Sequence, residues 1–121
     1  MQCTGIDIVE IGRIKEAIER WGERFLHRIY TESELTICRD KPHRLAARFA
    51  GKEAVMKALG TGVRGVGWTE IEILSEPSGK PVVRLSGNAR QKAQSMALSE
   101  LAISLSDSQE YAIASVIGET K

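Results

Sequence analysis

The stretch HRLAARFAGKEAVMKAL, residues 43–59, constrains the fold more than any other, because as a helix it has almost no wet side. Leu45, Phe49, Met56 and Leu59 recur at helical spacing and form one large apolar stripe. Ala47, Gly51, Ala54 and Ala58 form a second stripe of small residues, along which another backbone can approach closely. Between the two runs a narrow line of Ala46, Ala50, Glu53 and Lys57. A helix that is apolar or small on most sides has to be central, with the rest of the chain packed around it. Glu53 is then a carboxylate on a largely buried helix. Ionising it there costs roughly several kcal/mol unless a cation or hydrogen bonds compensate.

The opening of the chain poses the same problem. TGIDIVEIG, residues 4–12, reads as a buried strand in which Ile6, Ile8, Val9 and Ile11 are β-formers and Asp7 interrupts them. An Asp facing water on a half-wet strand is one answer. The other is a second acid: Asp7 and Glu53 sit on elements expected to pack together, and two acids in apolar settings repel unless one is protonated or a cation lies between them. A hard divalent ion such as Mg²⁺ resolves that conflict, since it accepts one or two carboxylates and completes its octahedron with water and phosphate oxygens. Two unrelated acids, each satisfied by a nearby Arg, fit the composition equally well.

The remaining pattern supplies the wrapping. Ile11, Ile14, Ala17, Ile18 and Trp21 mark an amphipathic helix that Gly22 ends, and ERFLHRIY adds a further turn or two. In TESE, Thr31 and Glu34 form a capping box for a helix that fades near Pro42. A glycine-rich loop, GTGVRGVGW, follows the central helix. TEIEILSE and KPVVRLSG flank a PSG turn as a hairpin, residues 88–98 form a helix, and LAISLSDSQEYAIASVIG reads as two strands joined by a polar turn. The order is β–α–α–α–β–β–α–β–β, an α+β fold expected to be a single domain over residues 1–121. In the last two strands Ala102, Ser104 and Ser106 share a face, and Ala112, Ala114 and Val116 line one face of the next. Faces of small residues would let a second copy come close.

Charge and cysteines narrow the partners. Residues 11–60 carry eleven Lys/Arg against seven Asp/Glu, a net +4, whereas residues 61–121 carry six against seven. With only 5% aromatic residues and no dense basic stripe, that surplus favours a phosphorylated ligand or an acidic protein over nucleic acid. No run approaches the roughly 18 apolar residues of a membrane span. Cys3 and Cys38 fall in no metal or redox spacing. They are expected to be free thiols in a cytoplasmic protein.

Two catalytic patterns fail. Lys57 followed by GTG is not a phosphate loop of the Walker type, because the glycines follow a helix C-terminus, where the dipole repels anions. The pair Glu53–Lys57 by itself can be ordinary helix support, and Gly60 a C-cap. Ser104, Ser106 and Ser108 have no histidine near them in sequence, and His27 and His43 read as surface residues, so a Ser-His-Asp enzyme is disfavoured.

TGIDIVEIGRI, RFLHRIYTESE, RFAGKEAVMKALGTG, the strand IEI, GKP and SLSDSQEYAIASV nevertheless occur together and in order over nearly the whole chain. In this the sequence resembles the holo-acyl-carrier-protein synthases, the short bacterial class of 4′-phosphopantetheinyl transferases. The resemblance implies an antiparallel sheet packed on the central helix, with Asp7 and Glu53 as ligands of Mg²⁺. It implies transfer of 4′-phosphopantetheine from coenzyme A to a serine of an acyl carrier protein for fatty acid biosynthesis, with release of 3′,5′-ADP. Lys57 would neutralise phosphate, and Gly60, Thr61 and Gly62 would receive the nucleotide with help from Arg48, Lys80 and Pro81. Arg13, Arg24, Phe25 and Arg28 would dock the acidic carrier, and the protein would be a homotrimer with sites in the clefts between copies. Two positions depart from the family pattern. Gly51 stands where relatives often have Ala, weakening the helix by up to about 1 kcal/mol. Asp107 stands where many have His, which leaves open whether Asp107 or Glu53 relays the seryl proton through water. A non-catalytic module that binds acidic carriers is the alternative. A Mg²⁺-dependent nucleotide hydrolase lacks the further acids it would need.

Overall fold

The computed structural model describes residues 1–121. Its centre is α4, Pro42–Leu59, with twelve of its eighteen residues buried. Pro42 occupies the first helical position, where a missing N–H costs nothing, and Gly60 closes the helix in the left-handed conformation at φ 75°. The stripe of small residues does what its composition suggests. A strand, β1 (Gln2–Glu10), lies directly on it, so closely that a Cβ at Gly5 would collide with the Ala54 carbonyl.

β1 is one edge of an antiparallel sheet in the order β1-β5-β4, where β4 is Leu98–Asp107 and β5 is Tyr111–Thr120. The expected hairpin is a separate two-stranded sheet that pairs β2 (Ile71–Ser75) with β3 (Pro81–Leu85). α1 (Ile11–Trp21), α2 (Glu23–Ile29) and α3 (Glu32–Cys38) cover the first half of α4, bringing Ile14, Leu26, Ile29, Tyr30 and Cys38 against Leu45. The Thr31–Glu34 capping box starts α3 as expected. The glycine-rich stretch contains a single helical turn, α5 (Gly62–Gly65), and a 3₁₀ turn at Trp68–Glu70; α6 (Gly87–Ser95) leads into β4.

Two expectations about strand faces are reversed. On β1 the isoleucines face outward, Ile6 being 64% and Ile8 59% exposed, while Gly5, Asp7 and Val9 face α4. The contact with Ala54 leaves no room for a large inward residue at position 5, and strand alternation then sets the rest. On β5 the small face, Ala112, Ala114 and Val116, is buried against α4 and is not free to meet a second copy. The outer face of the sheet is instead apolar, with Ile6, Ile8, Tyr111, Ile113 and Ile117 exposed beside the small Ala102, Ser104 and Ser106.

Candidate active site

Because Asp7 faces inward on β1 and Glu53 faces the same strand from α4, the two carboxyl groups come within hydrogen-bonding reach of each other. Burial and then the neighbouring Asp7, by its charge and its hydrogen bond, raise the pKa of Glu53 above the ordinary carboxylate value; Lys57 pulls it the other way. Lys57, one helical turn after Glu53, donates to the Ile6 carbonyl at 2.8 Å and to Asp7 Oδ1 at 3.1 Å. Asp7 is 11% exposed and Lys57 56%. No third His, Cys, Asp or Glu joins the pair. Such a donor set fits Mg²⁺, which keeps several waters and takes substrate phosphate, and not a metal that needs three or four protein ligands.

The pair sits between two clefts. One, of about 470 Å³, is floored by Val9, Ile14, Phe25 and Phe49 and edged by Arg13. Phe49 is held by stacking on Trp68, with ring centroids 4.9 Å apart. Phe25 also lines an adjoining cleft with Trp21, Arg24 and Arg28. All four expected docking residues therefore share one surface with the carboxylates. On the other side a smaller cleft of about 170 Å³ is lined by Glu53, Lys57, Gly62 and Val63. Beside it, the Thr61 hydroxyl oxygen is buried with no hydrogen-bond partner.

Other expected site residues lie elsewhere. Arg48 is buried and spends its guanidinium on structure: Nε donates to the Ile73 carbonyl and Nη2 to Ser75 Oγ, each at 3.0 Å, tying α4 to β2. It still lines a cleft with Arg44, Gly79 and Pro81, next to the exposed Lys80. Asp107 lines yet another cleft, with Lys15 and His43. Its partner on β5 is Ala112, whereas that of Asp7 is Ala114, and β5 lies between the two strands. Two strand spacings, about 10 Å, thus separate Asp107 from the carboxylate pair, and it does not join that pair within one chain.

One group escaped the sequence reading. Lys52, adjacent to Glu53, is fully buried with Glu34. Its ammonium donates to Glu34 Oε1 at 2.7 Å and to the carbonyls of Trp68 and Ile71 at 3.0 and 2.6 Å. Glu34 also accepts from the backbone N–H groups of Thr31 and Ile73. Burial lowers the pKa of Lys52 and Glu34 opposes the shift. The available signal was geometric: a lysine on a helix without a wet side must have a buried partner.

The family model described as the 4′-phosphopantetheinyl transferase superfamily matches residues 3–116. The chain is 46% identical to the holo-[acyl-carrier-protein] synthase of Herpetosiphon aurantiacus, over 98% of each chain. It is 52% identical to the holo-[acyl-carrier-protein] synthase of Dehalococcoides mccartyi strain CBDB1, over 98% of this chain and 99% of that one. Among solved structures, the Helicobacter pylori holo-[acyl-carrier-protein] synthase in complex with coenzyme A superposes with a TM-score of 0.89. It has 35% identity and covers 96% of this chain and 99% of its own.

Proposed function

Because the chain belongs to the 4′-phosphopantetheinyl transferase superfamily, among the holo-[acyl-carrier-protein] synthases, we propose that it moves 4′-phosphopantetheine from coenzyme A to a serine of an acyl carrier protein. The product is the holo carrier of fatty acid biosynthesis, and 3′,5′-ADP leaves. The observation that carries this reading is the Asp7–Glu53 pair with Lys57 beside it, on a surface continuous with Arg13, Arg24, Phe25 and Arg28. A module that only docked carriers would have no use for two adjacent, poorly hydrated acids.

Asp7 and Glu53 would hold Mg²⁺, which supplies charge neutralisation at the pyrophosphate. The residues of the chain do the rest. The arginines and Phe25 orient the acidic carrier over the cleft, and Lys57 neutralises phosphate from the glycine-loop side. The seryl oxygen forms its bond to the phosphorus bearing pantetheine as the bond from that phosphorus to 3′,5′-ADP breaks. The seryl proton passes through water toward Glu53. Such a transfer needs positioning and charge neutralisation more than covalent catalysis.

The homotrimer belongs to the same reading. Five large apolar residues on the outer face of the sheet are a poor surface to leave in water, and a second copy would cover them. Assembly would also explain why Asp107 and the Arg44–Arg48–Pro81 cleft lie apart from the carboxylates: they would serve the site of a neighbouring copy. A cytoplasmic location suits the two free cysteines; no helix is long and apolar enough to cross a membrane.

The test is the intact mass of an apo carrier protein incubated with this chain, coenzyme A and Mg²⁺. It should rise by one phosphopantetheine, and an unchanged mass overturns the assigned activity. Light scattering should return three times the 13.3 kDa of one chain. A single-chain mass would remove the trimer while leaving the chemistry to the first measurement.

A further inference from the structure

Lys57 does not simply wait for a phosphate. Its ammonium is already engaged by Asp7 Oδ1 and the Ile6 carbonyl, although more than half of the side chain is open to water. An exposed lysine gives up rotamer freedom to hold one geometry, so something must favour the seat. The only charge in contact with it is Asp7, itself 11% exposed and poorly hydrated. Across from Asp7 stands Glu53, a second acid with no cation of its own. The three groups together carry two potential negative charges and one positive. The single ammonium therefore occupies the electrostatic position that a divalent ion would take.

Resting on the reading of Asp7 and Glu53 as metal ligands, we infer that Lys57 is the internal counter-ion of the metal site. It holds Asp7 while no divalent cation is bound and competes with that cation for Asp7. It swings to the substrate's phosphate once the cation displaces it. The room for that movement is visible, because the cleft lined by Lys57 and Glu53 continues to Gly62 and Val63 on the glycine loop. Two consequences follow by linkage. Lys57 weakens metal binding to the free protein, and it strengthens the mutual support of metal and coenzyme A, because phosphate then gives the displaced ammonium a new partner.

The test uses Mn²⁺ as a paramagnetic probe, with free and bound ion counted in the full chain without substrate. Lys57→Met should bind Mn²⁺ about five- to tenfold more tightly than the wild type, the effect of removing one partly solvated charge a few ångströms away. Lys57→Arg, which keeps the charge, should stay near the wild type. Adding coenzyme A should tighten Mn²⁺ binding in the wild type by a larger factor than in Lys57→Met. Equal or weaker affinity in Lys57→Met, with binding abolished by Asp7→Asn, overturns the counter-ion role and leaves the metal reading standing. Wild-type binding that Asp7→Asn does not alter, or no binding at millimolar Mn²⁺ even with coenzyme A present, overturns the metal reading and the inference with it.

Discussion

Lys52 and Glu53 are neighbours on one helix, and their surroundings are opposite. Lys52 belongs to a closed cluster in which all three ammonium donors are used and Glu34 accepts from two backbone N–H groups as well. The cluster is neutral and fully buried. Glu53 belongs to an open cluster, with two acids in mutual contact, one half-exposed ammonium, and clefts on both sides. The contrast separates two uses of buried charge. A set that balances internally fixes the packing of α3, α4 and β2, whereas a set left short of positive charge has the electrostatics that the proposed cation and phosphate would need.

Exchanging the two kinds of defect tests this most severely. Glu53→Gln should lower transfer about a thousandfold or more, equivalent to roughly 4 kcal/mol of lost transition-state stabilisation. It should leave the metal-free melting temperature unchanged or higher. The sign follows from the raised pKa of Glu53: ionisation at neutral pH favours the unfolded chain, so removing the ionisable group relieves that cost. The advantage should fade as pH falls from the raised folded-state value toward the ordinary glutamate value of 4.5, and be gone below it, where the wild type carries the proton in both states. Lys52→Met should do the reverse, costing about 3–5 kcal/mol in urea unfolding because Glu34 is left buried without its cation. Adding Glu34→Gln should recover part of that loss. A stable Lys52→Met protein, or a Glu53→Gln protein that unfolds, would undo the distinction between the clusters.

Much of this was legible in the sequence, and the limits have physical causes. The central position of α4 followed from its lack of a wet side, and the α3 cap from Thr31 and Glu34. Asp7 and Glu53 could be paired because each was an acid in an apolar setting. Periodicity could not say which face of β1 turns inward, since Ile6 and Ile8 alternate with Asp7 as well one way as the other. That choice is made by the contact of Gly5 with Ala54, a long-range fact. Arg48 was expected at the nucleotide only through the family resemblance, and its bond to the β2 backbone, made far off in sequence, could not be seen there. The same limit applies to Lys52, whose partners Glu34, Trp68 and Ile71 lie far from it in sequence.

Helix propensity alone makes Gly51 a weak point of α4; its surroundings give a sharper account. A Cβ there would press into Ile73 Cδ1 and lie 3.2 Å from Ile103 Cδ1 and 3.4 Å from Leu105 Cδ2. The backbone of Ile73 is held, its N–H by Glu34 and its carbonyl by Arg48, so relief has to come from turning its side chain within a fully buried site. Gly51→Ala therefore gains up to about 1 kcal/mol of helix propensity but incurs overpacking of roughly 1–3 kcal/mol, for a net loss near 1 kcal/mol. Ile73→Val removes the obstructing methyl and alone should cost about 1 kcal/mol. Combined, the two should not add: the new Cβ fills the space that Cδ1 vacates, and stability should return to within about 0.5 kcal/mol of the wild type. Urea unfolding of the four proteins gives the coupling directly. Simple additivity would mean that β2 can shift to absorb the methyl, and that the closed cluster is less rigid than its hydrogen bonds imply.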